Sequence, residues 1–320
     1  MTALHTPTCD LLGIDVPVLQ AGMSTYTSPE LVAAVSNAGG LGIIGGLGRS
    51  PDELRAEIRK VRELTSRPFG VNHVMCRLDP TAVQVTLAQR VPVLSLAWGR
   101  SEELTYQAHE AGIKVIHQVV TAEEAGLVAS DGADVIVAQG TEGGGHVGMM
   151  STLSLVPQVV DVVGAVPVLA AGGIADGRGL AAVMMLGAQG ALIGTRFLAT
   201  PEAHGRGHSK DVILNALGSQ TLASRFFDDV TKQVWPGATV RSIKSPLLEE
   251  WAERQQEWAL AAEQLRPSLE AALAAGDFVL AGESAGLVHD IVPAGELVSR
   301  IAHQAKELLN MRRNPDGSFS

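Results

Sequence analysis

The chain of 320 residues is poor in cysteine, in aromatic residues and in clustered basic residues. Two cysteines, Cys9 and Cys76, build no disulfide framework and suit a reducing compartment. No metal-ligand spacing surrounds Cys76, which reads as a small buried hydrophobe. Lys and Arg total 24 against 34 Asp and Glu, a formal charge of −10, with no basic stretch. That balance argues against nucleic acid or an anionic membrane as the main partner. No apolar run approaches the ~18 residues of a membrane span. The opening "MTALHTPTCDLLG" lacks the charged start and apolar core of a signal peptide, so the expected location is cytoplasmic. The chain also lacks G-x-x-x-x-G-K-[ST], which excludes a P-loop. Without a metal-ligand cluster, a Ser/His/Asp order or a cysteine on the candidate loop, metal hydrolysis and nucleophilic catalysis lose support.

What is present is apolar residues, 46% of the chain, and 35 glycines gathered at the ends of apolar runs. Eight such runs recur: "VPVLQ" (16–20), "LGIIG" (41–45), "FGVNHV" (69–74), "VPVLSLA" (91–97), "KVIHQV" (114–119), "DVIVAQ" (134–139), "PVLAA" (167–171) and "ALIGT" (191–195). They are rich in Val, Ile and Leu and nearly continuous, as strands buried on both faces are. Helical patterns fill the intervals. In "SPELVAAVSNAGG", Ser28 caps, Pro29 takes the first helical position, and Gly39 stops the helix; Ser50 and Pro51 repeat the device. Strand–helix alternation eight times over predicts an α/β (β/α)₈ TIM barrel over residues 1–200. A doubly wound sheet is the alternative, but eight near-equal units favour closure. Residues 201–284 carry three of the four tryptophans and long helical runs, and read as a smaller helical domain capping the barrel. Residues 285–320 read as a segment returning to the barrel wall, with a frayed tail "RRNPDGSFS".

"GGLGIIGG" contains G-x-G-x-x-G at Gly40, Gly42 and Gly45, but a helix precedes it and the glycines lie within the strand, so it is no dinucleotide fingerprint. "AAGGIADGRG" and "IGTRF" fall at the C-terminal ends of strands seven and eight, where barrels often bind phosphate on bare backbone N–H groups. Gly172, Gly173, Gly194 and Thr195 are the candidates; tight turns needing positive φ are the alternative. "DVIVAQGTEGGGHVG" (134–148) runs from strand six into three glycines and His146. There the glycines would admit a flat ring, and His146 would exchange a proton with what binds beside it. A histidine capping a turn is the structural alternative. Gln20 to Met23, Asn72 and His73, and His117 and Gln118 end strands one, three and five. Asn72 and Gln118 either meet a heterocycle's polar edge or satisfy buried backbone. Trp98, ending strand four, either walls the pocket with His73 nearby or packs under the cap. Glu142 reads as an exposed loop carboxylate.

Together "PVLQAGM", "NAGGLGIIGG", "RPFGVN", "AQGTEGGGHVG", "AAGGIADGRG" and "IGTRF" resemble the nitronate monooxygenase family, formerly called 2-nitropropane dioxygenases. They look equally like the related FMN-dependent enoyl-ACP reductase II. The likeness spans nearly the whole chain, including "LAGESAGLV" (280–288). It implies FMN in a (β/α)₈ barrel, contacted by Ala21, Gly22, Met23, Asn72, Gln118, Gly144 and Gly145. It implies a phosphate grip at Ala171, Gly172, Gly173, Gly194 and Thr195, with His146 catalytic. It also implies a small-molecule substrate with O₂ or NAD(P)H as co-substrate, and leaves a homodimer open. The expected activity is oxidation of alkyl nitronates to carbonyl compounds and nitrite. Reduction of enoyl thioesters or of quinones by NAD(P)H is the alternative. The sequence departs from the resemblance at Gly143, where many members have alanine, and at Trp98, where reductases often have a small residue.

Overall fold

A computed structural model describes residues 4–310; the tail read as frayed, 312–320, lies outside them. Its eleven strands in chain order are β1 (Val18–Gln20), β2 (Gly42–Gly45), β3 (Phe69–Val74), β4 (Val93–Ala97), β5 (Lys114–Val119), β6 (Val135–Gln139), β7 (Gly145–Val147), β8 (Val168–Ala171), β9 (Ala191–Ile193), β10 (Thr221–Ser224) and β11 (Thr239–Ile243). Eight of them form one parallel sheet in the order β1-β9-β8-β6-β5-β4-β3-β2. A parallel bridge from Leu19 to Leu41 joins its two edges. The result is the closed (β/α)₈ barrel, with the eight strands where the apolar runs placed them.

Closure follows from two-sided burial. Leu19, Ile43, Ile116, Val137, Leu169 and Leu192 fill the barrel's interior. The helix Pro7–Leu12 brings Cys9 and Leu12 into the same cluster. Thr8 ties that helix to Gln189 through the side-chain oxygen at 2.9 Å. The outward residues of the same strands meet the helices. Helix starts obey the local chemistry: Ser28 accepts from the Leu31 N–H, and Ser50 with Glu53 forms a capping box. The last helix, Ala294–Asn310, packs on the helices Gly177–Met185 and Pro29–Asn37 and buries Leu297, Val298 and Ile301. No helix of the described residues is long and apolar enough to cross a membrane.

The segment after β9 carries helices, as expected, and also two strands that its polar, irregular pattern concealed. β10 and β11 pair antiparallel, and β11 pairs in turn with β7, which begins at the last of the three glycines. The register sets Val240 opposite His146 and Arg241 opposite Gly145. A second core of Phe226, Trp251, Trp258, Leu265, Leu269 and Phe278 holds the segment together. Its sheet therefore reaches down and takes the strand-six loop as its third strand.

Candidate active site

Strand ends and their loops enclose a cavity of about 410 Å³ between barrel and cap. Ala21, Gly22 and Met23 after β1, Asn72 on β3, Trp98 after β4 and Gln118 on β5 all line it. So do Gly144, Gly145 and His146, Ala171, Gly172 and Gly173 after β8, and Gly194 and Thr195 after β9. Cavities of this size hold small molecules and cofactors.

His73 is not among them. Side chains alternate across a strand, so Asn72 toward the interior sends His73 to the outer face. There it is buried, with Nε2 2.7 Å from Thr86 Oγ1 on the helix behind. Burial lowers its pKa to about 4, which keeps the imidazole neutral. His117, on the outer face of β5, is likewise buried; its Nε2 lies 2.7 Å from the Gly99 carbonyl. Glu142 is not an exposed carboxylate either. It accepts from the Thr152 N–H at 2.9 Å and from its hydroxyl at 2.9 Å, closing the start of the helix Thr152–Val163. Cys76 is only half-buried, beside a second cavity that shares Trp98 as a wall. Burial pushes its thiol pKa up.

The cavity has a polarity. The N–H groups of Gly172, Gly173, Gly194 and Thr195 find no acceptor among the described residues. Gly172 and Gly173 have φ of +97° and +74°, the left-handed region that turns successive N–H groups to one side. Unpaired N–H donors inside a protein are costly unless a ligand takes them. Among the described residues no carboxylate lines the cavity, and the one Lys or Arg side chain there is Arg206, laid 5.4 Å over the Tyr26 ring. Across the floor, Asn72 donates to Ser95 at 3.3 Å and Gln118 donates to Gln139 at 2.9 Å. The amide oxygens of Asn72 and Gln118 take no hydrogen bond among the described residues. Gln139 in turn donates to the His146 carbonyl at 3.3 Å and steadies the loop.

His146 stands on the cavity wall in aromatic company. Its ring stacks on Trp235 at 3.5 Å between centroids and 15° between planes. Trp98 meets it edge-on at 6.3 Å. Its Nε2 lies 3.0 Å from Oδ1 of Asp228, a carboxylate only 1% exposed. Asp228 and Arg206 escaped the sequence reading because both come from the cap, whereas a cap tryptophan in the pocket wall was expected, and Trp235 is that residue. "FFDDV" holds two adjacent aspartates, and only the buried face of the helix Phe226–Thr231 shows that the first points inward with Phe226 and Val230.

Trp98 has φ +60°, a conformation costing a non-glycine residue on the order of 1–3 kcal/mol. Gly99 follows at +127°. That turn swings the indole back over the cavity, where it meets both His146 and Trp235.

The sequence profile of nitronate monooxygenase matches residues 5–81 and 77–304. A protein of Staphylococcus aureus named probable nitronate monooxygenase is 33% identical, the match covering 94% of this chain and 98% of that one. A Rhodococcus jostii protein named (3aS,4S,5R,7aS)-5-hydroxy-7a-methyl-1-oxo-octahydro-1H-indene-4-carboxyl-CoA dehydrogenase is 40% identical over 76% of this chain and 69% of its own. Among solved structures, FabK from Thermotoga maritima superposes with a TM-score of 0.85 at 37% identity, covering 95% of this chain and 97% of that one.

Proposed function

The chain belongs to the nitronate monooxygenase family of oxidoreductases, and from that membership we propose an FMN-dependent enzyme that oxidises alkyl nitronates, with O₂, to carbonyl compounds and nitrite. One observation carries the reading: four backbone N–H groups without an acceptor among the described residues open, with His146, onto one cavity that no described carboxylate lines.

The residues present fit FMN. A terminal phosphate would satisfy the N–H groups of Gly172, Gly173, Gly194 and Thr195. The unpaired amide oxygens of Asn72 and Gln118 suit the N–H edge of a heterocycle, with the backbone of Ala21, Gly22 and Met23 and that of Gly144 and Gly145 at its sides. Ala171, the last residue of β8, leads the chain into the phosphate turn. FMN supplies the redox chemistry when bound, accepting electrons from the substrate.

The chain itself places and encloses the substrate. His146, Trp235 and Trp98 form an aromatic wall, and Phe227, Leu273 and Leu280 from the cap add apolar lining. Such a wall excludes water and strengthens every charge interaction inside. An anionic nitro group meets no like charge there, and Arg206 at the mouth attracts anions. The narrowing by Trp98 and Trp235 favours a small substrate.

A second reading, oxidation or reduction of an acyl thioester, is favoured by the Rhodococcus relative's name and by Arg206, which would suit a phosphorylated carrier. Anaerobic stopped-flow separates the two. Purified protein should be yellow and should release FMN on denaturation. Its absorbance should bleach faster with a propyl nitronate than with NADH or NADPH. Prompt bleaching by a pyridine nucleotide, reversed by an enoyl thioester, would give the second reading the activity. Protein that is colourless and takes up no FMN would overturn both.

A further inference from the structure

We propose that Asp228 is a positioning residue that holds His146 in the tautomer able to take a proton, so that the enzyme accepts neutral nitroalkanes as well as nitronates. The substrate half of this proposal rests on the reading above; the tautomer half rests on geometry alone.

The geometry is specific. An ionised carboxylate offers only acceptors. Asp228 Oδ1 at 3.0 Å from Nε2 therefore fixes a proton on Nε2. In the neutral ring Nδ1 then carries the only lone pair, and Nδ1 has no hydrogen-bond partner among the described residues. Burial matters as much as distance. Asp228 is 1% exposed and the His146 side chain 11%, so water competes weakly for either. Trp235 stacked on the ring and Trp98 against its edge leave little freedom to turn over. The Cys76 thiol also feels the Asp228 charge, and burial, the larger effect, pushes its pKa up.

The proton step balances without an oxidant. Nδ1 takes the proton from the carbon bearing the nitro group. The C–H electron pair moves onto the nitro oxygens, which gives the nitronate. The ring becomes an imidazolium whose Nε2–H faces the Asp228 carboxylate, and its extra proton leaves to solvent in a later step. A carboxylate so placed lowers the cost of the imidazolium, as in a Ser-His-Asp triad. A pre-formed nitronate needs none of this. The cap thus supplies a working part of the site: Asp228 follows β10, and His146 lies on β7, which pairs with β11 of the cap.

A purely structural tie between cap and loop would affect both substrates alike, and the test turns on that difference. ¹⁵N NMR of histidine-labelled wild type should show His146 with Nε2 protonated and Nδ1 bare at alkaline pH. An unprotonated Nε2 would overturn the assignment with no variant needed. Asp228→Asn keeps the shape but can present an N–H to the ring. It should populate the opposite tautomer and lower kcat with neutral nitroethane by about 10²-fold or more. Turnover of ethyl nitronate should fall far less, with KM little changed. Equal loss on both substrates, with the tautomer unchanged, would make Asp228 a structural tie. If wild type turns over no nitronate at all, the activity reading fails, and the NMR result still decides the role of Asp228.

Discussion

The three consecutive glycines beside His146 are not equivalent. A Cβ on Gly143 would come 3.2 Å from Gln139 Nε2, a tight but adjustable contact. One on Gly144 would meet the backbone of Ala281 and Gly282 at 2.6 Å, so this glycine exists for packing. Gly145 has open space around it but φ +74°, so it exists for conformation. The same distinction sharpens the phosphate test. Gly173 has φ +74°, and valine there strains the backbone whatever the ligand does. Gly194 has φ −106°, and a Cβ would meet nothing nearer than Met23 Sδ at 3.6 Å. Gly194→Val should therefore fold normally by circular dichroism yet lose most of its flavin on gel filtration. Full flavin retention would move the phosphate elsewhere. Trp98 offers a second clean substitution, because alanine bears the same φ +60° penalty and only the indole is removed. Trp98→Ala should raise kcat/KM for a long-chain nitronate relative to ethyl nitronate. An unchanged ratio would make Trp98 a packing residue.

Strands and their alternation were the most legible feature of the sequence, and they show where reading fails. "FGVNHV" marks β3 by composition, but composition does not say which of Asn72 and His73 faces inward. Only the barrel's closure decides it, and the decision sends His73 to a structural place against Thr86. That place has a pH signature. His73 titrates near 4 when folded against about 6.5 unfolded, so the unfolded chain binds the extra proton between those values. Stability is therefore complete above pH 6.5 and falls as pH drops toward 4, by about 3 kcal/mol from this group. His117, whose pKa burial also lowers, adds to the loss with the same sign. Urea unfolding at pH 7 and pH 4 should show a smaller acid loss in His73→Gln, which does not titrate, than in wild type. Equal losses would mean that His73 is hydrated and charges freely. The glycine turns after β8 and β9 were legible because backbone N–H groups need no side chain to announce them. The cap was not: β10 is half-exposed, and the pairing of β11 with β7 joins residues about a hundred positions apart.

At the scale of the whole molecule, barrel and cap share one site because their backbones interlock. Arg241 on β11 donates to the Thr141 carbonyl at 2.8 Å and pairs with Glu283 at 3.1 Å, binding the strand-six loop to the cap and to the "LAGESAGLV" segment. Within that segment Gly282 donates to Thr195 Oγ1 at 2.9 Å, and Glu283 donates to the Glu142 carbonyl at 2.9 Å. Gly144 and Gly282 face each other closely enough that neither tolerates a side chain. A Cβ on Gly282 would stand 2.4 Å from the Glu142 carbonyl and 2.8 Å from the Gly144 nitrogen. Its φ of −86° is ordinary, so alanine there carries no backbone strain and the steric effect is isolated. Both neighbours are backbone and cannot rotate away, so the segment must lift. Overpacking of this kind costs about 1–3 kcal/mol. It should be felt at the joint rather than in the barrel's own core. Gly282→Ala should therefore leave the barrel strands protected from hydrogen exchange, while β7 and β11 exchange faster. Flavin should bind more weakly, because Thr195 and Gly144 both line the cavity. Neutral nitroalkane turnover should fall further than nitronate turnover, since the same joint brings Asp228 to His146. Unchanged exchange in β7 and β11 would show that the joint is soft, and that the contact between barrel and cap does not set the geometry of the site.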